Sequence, residues 1–299
     1  MADLGEIVAL VERTLGPAQG EPVRLTGGIT NRNYRLRFGE RECALRLTEP
    51  QTELLGIDRS AERAAADAAA ALGLGPAVLV SGAGFMVTEY LDRAPIAAAA
   101  LRRDPHPAAQ ALRRFHDSGA ELRHRFWVPE LLDGYAAIVG RRGHRLPADY
   151  RMATEVVGRI AAALPAEEPV PCHNDLLAAN VLTPRGAAGP VMLVDWEYAG
   201  MGHRLFDLGN LAAGSEFDGP AQERLLEAYF GEPPGPGRRA ALALMQIMSD
   251  AREAAWGVVQ AVISTLEFDF TAYAGRHFLR LRGAAADPRF EEWLRDARA

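Results

Sequence analysis

The sequence is poor in cysteine, carries no excess of positive charge and has no long apolar run. Its two cysteines, Cys43 and Cys172, lie in apolar surroundings without CxxC spacing, which argues against a disulfide framework or a zinc site and predicts two buried side chains. A net charge of −6 disfavours nucleic acid and anionic membranes as main partners. No apolar run approaches the roughly 20 residues of a membrane span, and the N-terminus has acids where a signal peptide is basic. We therefore expect a cytoplasmic protein.

The hydrophobic content, in contrast, is ample. At 48% of 299 residues it is enough for a large buried core, and this length favours one large domain or two closely associated lobes. The acidic balance suits a small or cationic substrate. Composition thus indicates a globular protein and leaves its chemistry to the motifs.

The first ninety residues carry the periodicities of a β-rich region. Apolar residues at helical spacing over 4–15 predict a short amphipathic helix. Alternation at 34–38 and again at 43–47 predicts antiparallel strands joined by a tight turn. An alanine-rich helix follows over 57–72, capped by Asp58, and 77–90 predicts two strands around a turn. After the first helix, the predicted order is β-β-β-α-β-β.

From about residue 91, helices dominate the predicted structure. The exception is a small hairpin formed by 181–182 and 191–194. Prolines and glycines at 231–239 predict a surface loop between helices. The predicted helices cover 107–116, 131–139, 150–164, 221–230, 238–266 with possible breaks, and 271–281.

Two stretches at that hairpin, PCHNDLLAANVL (171–182) and VMLVDWEY (191–198), carry the residues best suited to catalysis. Asp175 and Asn180 are five residues apart, so the carboxylate can reach a substrate hydroxyl while the amide oxygen turns to a cation. Asp195 ends an apolar strand, a usual place for a Mg²⁺ ligand. Hard oxygen ligands without cysteine favour Mg²⁺ over zinc. The order HxDxxxxN, then an apolar run ending in Asp, is similar to the phosphoryl-transfer apparatus of the protein-kinase-like fold.

The N-terminal strands carry a second set of candidates. Arg46 is a cation on an otherwise apolar strand, and Glu62 lies on the following helix. In kinase-like folds the strand cation grips the nucleotide phosphates and a helix carboxylate holds it; arginine replaces the lysine of protein kinases here, and the two differ in geometry. Tyr90 and Leu91 stand at the hinge whose backbone would meet adenine. In TGGITNRNY, paired glycines let the backbone approach phosphate oxygens and polar side chains can donate hydrogen bonds; the candidates are Gly27, Gly28, Thr30 and Asn31.

Over most of its length the chain resembles the choline/ethanolamine kinase branch of the aminoglycoside-phosphotransferase-like superfamily. The combination of CHND, DWEY and a following FDLGN is highly specific, and arginine in ALRL agrees with this branch. The resemblance is carried by GGITNRNY (27–34), ALRL (44–47), CHNDLLAANVL (172–182), VDWEYAGMGHRLFDLGNL (194–211) and AWGVVQAVISTLEFDFTAYA (255–274).

The resemblance implies a role for each matched position of the loop motifs. Asp175 would be the catalytic base, and His173 would order the loop without transferring a proton. Asp207 would stabilise the loop by accepting backbone hydrogen bonds. The implied Mg²⁺ ligands are Asn180 and Asp195, with Glu197 as a further acid near the metal.

The resemblance also indicates where the acceptor binds. Trp256, Phe270 and Tyr273 match the aromatic positions around the quaternary ammonium of choline kinases, where each good cation–aromatic contact is worth about 0.5 to 2 kcal/mol. Packing of aromatic helix residues in the core explains the same pattern. Where eukaryotic choline kinases carry another Trp, this chain has Glu253, a carboxylate that favours a primary or hydroxylated amine. Further acids near this pocket, which solvated helix faces explain as well, are Asp250 and Glu267.

The sequence thus predicts an α+β, two-lobed protein-kinase-like fold. A small antiparallel-sheet lobe over 1–91 would bind the nucleotide, and a larger, mainly helical lobe over 92–299 would supply catalysis and bind substrate. The expected activity transfers the γ-phosphoryl group of ATP, with Mg²⁺, to the hydroxyl of an amino alcohol such as choline or ethanolamine. That small molecule is the expected partner, and a homodimer is one option for the oligomeric state.

Other hypotheses remain open at the level of sequence. A kinase for thiamine, an aminoglycoside or an amino sugar would share the ATP site and differ between residues 250 and 273. A non-catalytic nucleotide-binding protein is disfavoured by the intact set of loop residues. A Mg²⁺-dependent phosphohydrolase would leave Arg46, Glu62 and the glycine turn without a purpose.

Overall fold

A computed structural model of the chain describes residues 3–25, 31–48, 51–185 and 189–298. An antiparallel five-stranded sheet with two helices forms the N-terminal region, and helices with two small sheets form the remainder. This is the α+β, kinase-like architecture that the sequence predicts.

In chain order, the helices and strands are α1 Leu4–Leu15, β1 Ala18–Leu25, β2 Asn31–Phe38, β3 Arg41–Thr48, α2 Arg59–Ala71, β4 Val78–Gly82, β5 Phe85–Glu89, β6 Arg93–Pro95, α3 Ala98–Arg103, α4 His106–His116, α5 Val128–Arg141, α6 Ala148–Ala163, β7 Val170–Cys172, β8 Val181–Pro184, β9 Met192–Leu193, β10 Gly200–Gly202, α7 Arg204–Gly214, α8 Gly219–Phe230, α9 Pro236–Ile263, α10 Phe270–Ala285 and α11 Phe290–Asp296.

The N-terminal sheet has the strand order β1-β2-β3-β5-β4 with antiparallel pairing throughout. The apolar residues that alternate along β2 and β3 turn one face toward α1, as the period-2 pattern requires. Ile7 and Val11 of α1 pack there against Leu36 and Phe38 of β2 and against buried apolar residues of β3 and β5. Cys43 is buried in this cluster as a free thiol, as predicted.

Helix α2 begins at the predicted cap, because the Asp58 carboxylate accepts the backbone N–H groups of Ser60 and Ala61. Its buried alanines, including Ala65 and Ala69, belong to the core of the helical region and not to the cluster under α1. Small side chains let the helix approach that core closely. Helix α2 therefore lies where the two regions meet.

Helix α9 is the centre of the helical region. It packs against α5, α6, α7, α8, α10 and α11, and residues 240–260 are buried at nearly every position, as expected of a helix enclosed by others. Among those buried positions several are polar, which is uncommon unless the groups are paired. The polar positions are Ser249, Asp250, Arg252, Glu253 and Gln260.

Two small sheets frame the sequence motifs. Strands β8 and β9 form the predicted hairpin, extended by β6, and β7 pairs with β10. The segment from His173 to Asn180 therefore leaves one sheet and enters the other. The DWEY segment connects the same two sheets in the opposite direction.

The structure departs from the sequence prediction at a few elements. Helices α3, α7 and α11 were not predicted. The segment 231–239 is not a loop to its end, because α9 starts at Pro236, where a proline needs no hydrogen-bond partner for its nitrogen. Helix α9 then runs unbroken to Ile263. Within the described residues, no helix combines the length and the apolar character that a membrane span requires.

Candidate active site

The Asp207 carboxylate holds the start of the loop that carries Asp175. One carboxylate oxygen of Asp207 accepts the backbone N–H of His173 at 2.8 Å, and the other accepts that of Asn174 at 2.6 Å. The buried His116 donates from Nε2 to the same carboxylate at 2.9 Å. Burial acts to raise the pKa of Asp207, but these donors outweigh it and hold the pKa below its usual value. The predicted loop-stabilising role of Asp207 is confirmed.

His116, Cys172 and Asp207 together bring a nitrogen, a sulfur and an oxygen within 4.8 Å of one another. The second ring nitrogen of His116 lies 2.6 Å from the Tyr229 hydroxyl, and both oxygens of Asp207 accept the hydrogen bonds described above. Because His116 and Asp207 already bond each other and these other partners, the two residues belong to a buried hydrogen-bond network beside the Cys172 thiol. Its effect is to fix the start of the loop.

His173 is fully buried, and both of its ring nitrogens are engaged in hydrogen bonds within the protein. Its Nε2 donates to the carbonyl of Val194 at 3.0 Å, while Nδ1 accepts the backbone N–H of Asp175 at 3.3 Å. Burial lowers the pKa of His173 and favours this neutral form. The ring ties the loop to the strand that leads into Asp195, which is the ordering role implied by the resemblance.

Asn180 and Asp195, the candidate metal ligands, are brought together by backbone pairing. The N–H of Val194 donates to the carbonyl of Asn180 at 3.0 Å, and the Asn180 amide donates to the backbone carbonyl of Asp175 at 3.0 Å. Asp195 has a φ of +67°, a left-handed conformation that aspartate tolerates better than most residues. The side-chain oxygen of Asn180 is thereby left for a cation.

Glu197 adds a buried carboxylate to this group as a third candidate ligand. Burial raises the pKa values of Asp195 and Glu197, and each acid also feels the negative charge of a neighbour. Such a pair of neighbouring acids, one half-buried and one buried, is chemically suited to a hard divalent cation, which favours their charged forms. Asn31 of β2 donates to Glu197 at 3.0 Å, so a predicted nucleotide-side residue reaches the metal-side residues.

Arg46 and Glu62 form an ion pair in the structure. The other terminal nitrogen of Arg46 lies 3.1 Å from an oxygen of Asp195, so the strand cation links α2 to the candidate metal site. Glu62 is buried and also accepts from Arg59 at 2.7 Å. Arg59 also lies 3.5 Å from Glu197. The sequence analysis missed Arg59, although its position three residues before Glu62 on α2 predicts that the two side chains lie on one helix face.

The remaining nucleotide-side candidates have different outcomes. Gly27, Gly28 and Thr30 lie outside the described residues. At the predicted hinge, the N–H of Tyr90 donates to the carbonyl of Glu42 and the carbonyl of Leu91 accepts from Arg93. Those two backbone groups are therefore engaged within the protein. The guanidinium of Arg35 lies over the Tyr90 ring, 4.5 Å from its centroid.

The three aromatic candidates of the acceptor pocket come together. The Trp256 ring lies 5.6 Å from Phe270 and 5.5 Å from Tyr273, both edge-on. The Trp256 indole N–H donates to the hydroxyl of Tyr198 at 2.9 Å. Tyr198, the last residue of DWEY, was not among the predicted pocket residues and belongs to this cluster through that bond.

Glu253, the carboxylate that the sequence analysis expects to favour a primary or hydroxylated amine, has partners within the protein. One of its oxygens accepts from Arg252, and the other accepts from the Tyr273 hydroxyl at 2.5 Å. Burial acts to raise the pKa of Glu253, and Arg252 and Tyr273 outweigh it, so the pKa lies below its usual value. The carboxylate is charged, but an internal cation already compensates it.

Arg252 is the most consequential residue that the sequence analysis missed. It is fully buried on α9 and lies 3.0 Å from Oδ1 of Asp175. Burial is the largest cause that raises the pKa of Asp175 to about 7; Arg252 opposes it, and nearby acids add to it. A half-buried carboxyl that titrates near neutral pH is suited to acid–base catalysis.

Asp250 and Glu267, the further acids near the predicted pocket, differ in their surroundings. Asp250 lies 2.8 Å from Nδ1 of His277 and 3.1 Å from Nε of Arg280, and thus joins α9 to α10. Glu267 is exposed. Neither needs a substrate to explain its position.

The profile of the phosphotransferase enzyme family matches residues 21–242. This segment includes both the strand with Arg46 and the loop with Asp175, and it covers well over half of the chain. The chain therefore belongs to the phosphotransferase enzyme family.

Within that family, the chain is similar to choline/ethanolamine kinases. A choline/ethanolamine kinase family protein from Mesorhizobium loti superposes with a TM-score of 0.78 at 31% identity, over 94% of this chain and 93% of that one. Choline kinase LicA from Streptococcus pneumoniae shares the fold, with a TM-score of 0.79 at 23% identity over 95% and 99% of the two chains. Protein LicA from Haemophilus influenzae is 26% identical over 222 residues, which span 71% of this chain and 63% of that relative's length.

Proposed function

We propose that the protein is a kinase that transfers the γ-phosphoryl group of ATP to the hydroxyl of a small amino alcohol such as choline or ethanolamine. The observation that carries the proposal is that one described site holds a carboxylate suited to be a base, oxygen ligands suited to a divalent cation and a strand cation. These are Asp175, Asn180 with Asp195, and Arg46. The similarity to choline/ethanolamine kinases supports the choice of acceptor.

On the nucleotide side, Arg46 would bind the phosphates of ATP while Glu62 fixes its orientation. Gly27, Gly28 and Thr30, which precede β2 in the chain, would bind the phosphates. The backbone groups of Tyr90 and Leu91 that are not bonded to other described residues, the Tyr90 carbonyl and the Leu91 N–H, would face adenine. ATP would lie between a nucleotide-binding lobe over 1–91 and a catalytic lobe over 92–299.

Asn180, Asp195 and Glu197 would hold Mg²⁺. When bound, the ion supplies charge that offsets the phosphate oxygens and the developing negative charge of phosphoryl transfer. The neighbouring carboxyl groups of Asp195 and Glu197, whose pKa values are raised, fit this ion by their chemistry.

Asp175 would take the proton of the acceptor hydroxyl as its oxygen attacks. The new O–P bond forms while the bond between the γ-phosphorus and the β,γ-bridging oxygen breaks, and ADP leaves with that electron pair. Little covalent chemistry is required of the protein, so orientation and charge supply most of the rate. Trp256, Phe270 and Tyr273 would surround the ammonium of the acceptor.

The test is a panel of acceptors, comprising choline, ethanolamine, thiamine and an aminoglycoside, with ADP formation as the readout. We expect turnover of an amino alcohol. Turnover of the aminoglycoside or thiamine alone would reject the acceptor, and no ADP formation with any acceptor would reject the kinase.

The Asp175→Ala variant tests the mechanism in the same assay. Because the base acts on the acceptor, we expect turnover to fall at least about 100-fold while ATP affinity changes little. Asp133→Ala removes an exposed aspartate on α5 and serves as the matched control. An Asp175→Ala enzyme with unchanged kcat would end the proposed mechanism.

A further inference from the structure

Arg252 occupies an unusual position for a charged residue. Its side chain is 2% exposed, and a single nitrogen, Nη1, contacts both Oδ1 of Asp175 at 3.0 Å and a carboxylate oxygen of Glu253. Glu253 in turn is bonded to Tyr273 of the aromatic pocket. One guanidinium therefore connects the candidate base to the candidate acceptor pocket.

The contacts of Arg252 with Asp175 and Glu253 do not serve to satisfy the hydrogen-bond donors of the guanidinium. Its Nε and Nη2 are buried and have no hydrogen-bond partner among the described residues, although an arginine placed for stability would use several of its five N–H groups. A buried ion pair also adds little net stability compared with apolar residues of similar size. What the arrangement does accomplish is to hold two specific carboxylates at one point.

The guanidinium itself is held in place by an aromatic ring. Its Cζ lies over the Tyr198 ring, 4.2 Å from the centroid, and Tyr198 accepts the indole N–H of Trp256 at 2.9 Å. Stacking restricts the plane of the guanidinium. The orientation of Arg252 is thus set by two residues of the acceptor pocket.

The contact with Arg252 fixes one oxygen of the Asp175 carboxylate. Arg252 holds Oδ1, and among the described residues no side chain or backbone group donates to the second oxygen, Oδ2. A carboxylate with one oxygen anchored presents the other in a defined direction. Misplacement of a reacting group by about 1 Å can cost on the order of 100-fold in rate.

We propose that Arg252 is a positioning residue, which anchors Oδ1 of Asp175 so that Oδ2 receives the proton of the acceptor hydroxyl. This inference rests on the proposed function. It adds a residue that acts through the base and whose own orientation depends on the acceptor pocket.

The test measures kcat, acceptor KM and ATP affinity for the full-length Arg252→Gln and Arg252→Lys variants, with the amino alcohol that the wild-type enzyme turns over best. We expect kcat to fall about 100-fold in Arg252→Gln with ATP affinity within about twofold. Arg252→Lys keeps a charge but not the planar fork, and we expect an intermediate kcat. Arg280→Gln removes another arginine–carboxylate contact to α9, that with Asp250, and should leave kcat unchanged.

A double-variant cycle separates positioning from general damage. If Arg252 acts through Asp175, then Arg252→Gln should cause no further loss in an Asp175→Ala background. Full additivity of the two losses, or an unchanged kcat in Arg252→Gln, would overturn the inference. Should Arg252→Gln fail to fold, the Arg252→Lys variant decides: a kcat equal to that of the wild type contradicts positioning. Failure of the wild-type enzyme with every amino alcohol would reject the proposed function instead.

Discussion

Three carboxyl groups of the candidate site, two half-buried and one buried, have raised pKa values. Burial is the largest cause of the raised pKa values of Asp175, Asp195 and Glu197. Arg46 opposes the rise at Asp195, and Arg252 opposes it at Asp175. Groups kept in such an environment reduce stability and are retained where chemistry requires them.

The pKa of Asp175 predicts a cost to stability that depends on pH. An unfolded aspartate titrates near pH 3.9, whereas burial raises the pKa of folded Asp175 to about 7. Between these values only the unfolded state loses the proton, so stability falls as pH rises, and the full penalty is present above pH 7. We expect Asp175→Asn to raise the melting temperature at pH 8, and to raise it much less near pH 4.

Thermal unfolding of Asp175→Asn at the two pH values checks this expectation. Asp133→Asn, which changes an exposed aspartate, should show no such difference. An equal rise of Tm at pH 4 and pH 8 for Asp175→Asn would contradict a pKa of folded Asp175 that lies above its value in the unfolded chain.

The aromatic pocket makes a separate prediction at Trp256. Trp256→Leu keeps apolar volume but removes the aromatic face, and a cation–aromatic contact of about 0.5 to 2 kcal/mol corresponds to a KM for a cationic acceptor raised about 2- to 30-fold. Trp256→Phe retains a ring and should lie between. Steady-state kinetics with a cationic and a neutral alcohol separate the effects, since an equal loss for both would remove the argument for cation recognition.

At the scale of elements, the site depends on how α7 and α9 approach each other. Helix α7 carries Asp207, and α9 carries Arg252 and Glu253. Gly209 permits the contact, because a Cβ there would lie 2.6 Å from Cβ and 2.7 Å from the backbone C of Met245. Neither atom is at the end of a flexible chain, so the helices would have to separate.

We therefore expect Gly209→Ala to destabilise the protein by about 1 to 3 kcal/mol or more and to reduce activity. Gly134→Ala on α5 is the matched control, since a Cβ there meets nothing within 4 Å. In an open helix position, alanine should stabilise by about 0.5 to 1 kcal/mol. Chemical denaturation of both variants measures the difference, and similar stabilities would show that α7 and α9 can adjust.

At the scale of the whole molecule, the sheet region and the helical region meet at the candidate site. Arg46 contacts Asp195, Asn31 contacts Glu197, and α2 packs its alanines into the helical core. A ligand that binds between these groups binds the folded protein and not the unfolded chain, in which the groups are far apart. It should stabilise the fold as a unit.

We expect ATP with Mg²⁺ at 100 times its Kd to stabilise the protein by about 2.7 kcal/mol, which raises Tm by several degrees in a protein of this size. Differential scanning fluorimetry with ATP, in Mg²⁺ and in EDTA, measures the shift. Arg46→Gln should reduce it. The same shift in EDTA as in Mg²⁺ would argue against a metal held by Asn180, Asp195 and Glu197.

Much of the architecture was predictable because it follows from local patterns. Alternating apolar residues predicted β2 and β3, and a capping aspartate with a run of alanines predicted α2. Helix α7 was missed although it contains the FDLGN motif, since it is buried at nearly every position and shows no amphipathic period.

The sequence by itself determined the order of the catalytic motifs and, with it, the class of reaction. Motif spacing places Asp175, Asn180 and Asp195 near one another because short strands on either side bring those segments together. Only the tertiary structure decided the surroundings of Asp175, the candidate base. Arg252 is 77 residues from Asp175 on a helix buried on all sides, where neither periodicity nor charge indicates which neighbour a side chain meets. Packing of α9 against the loop sets that contact, and packing of α9 against α10 pairs Glu253 with Tyr273.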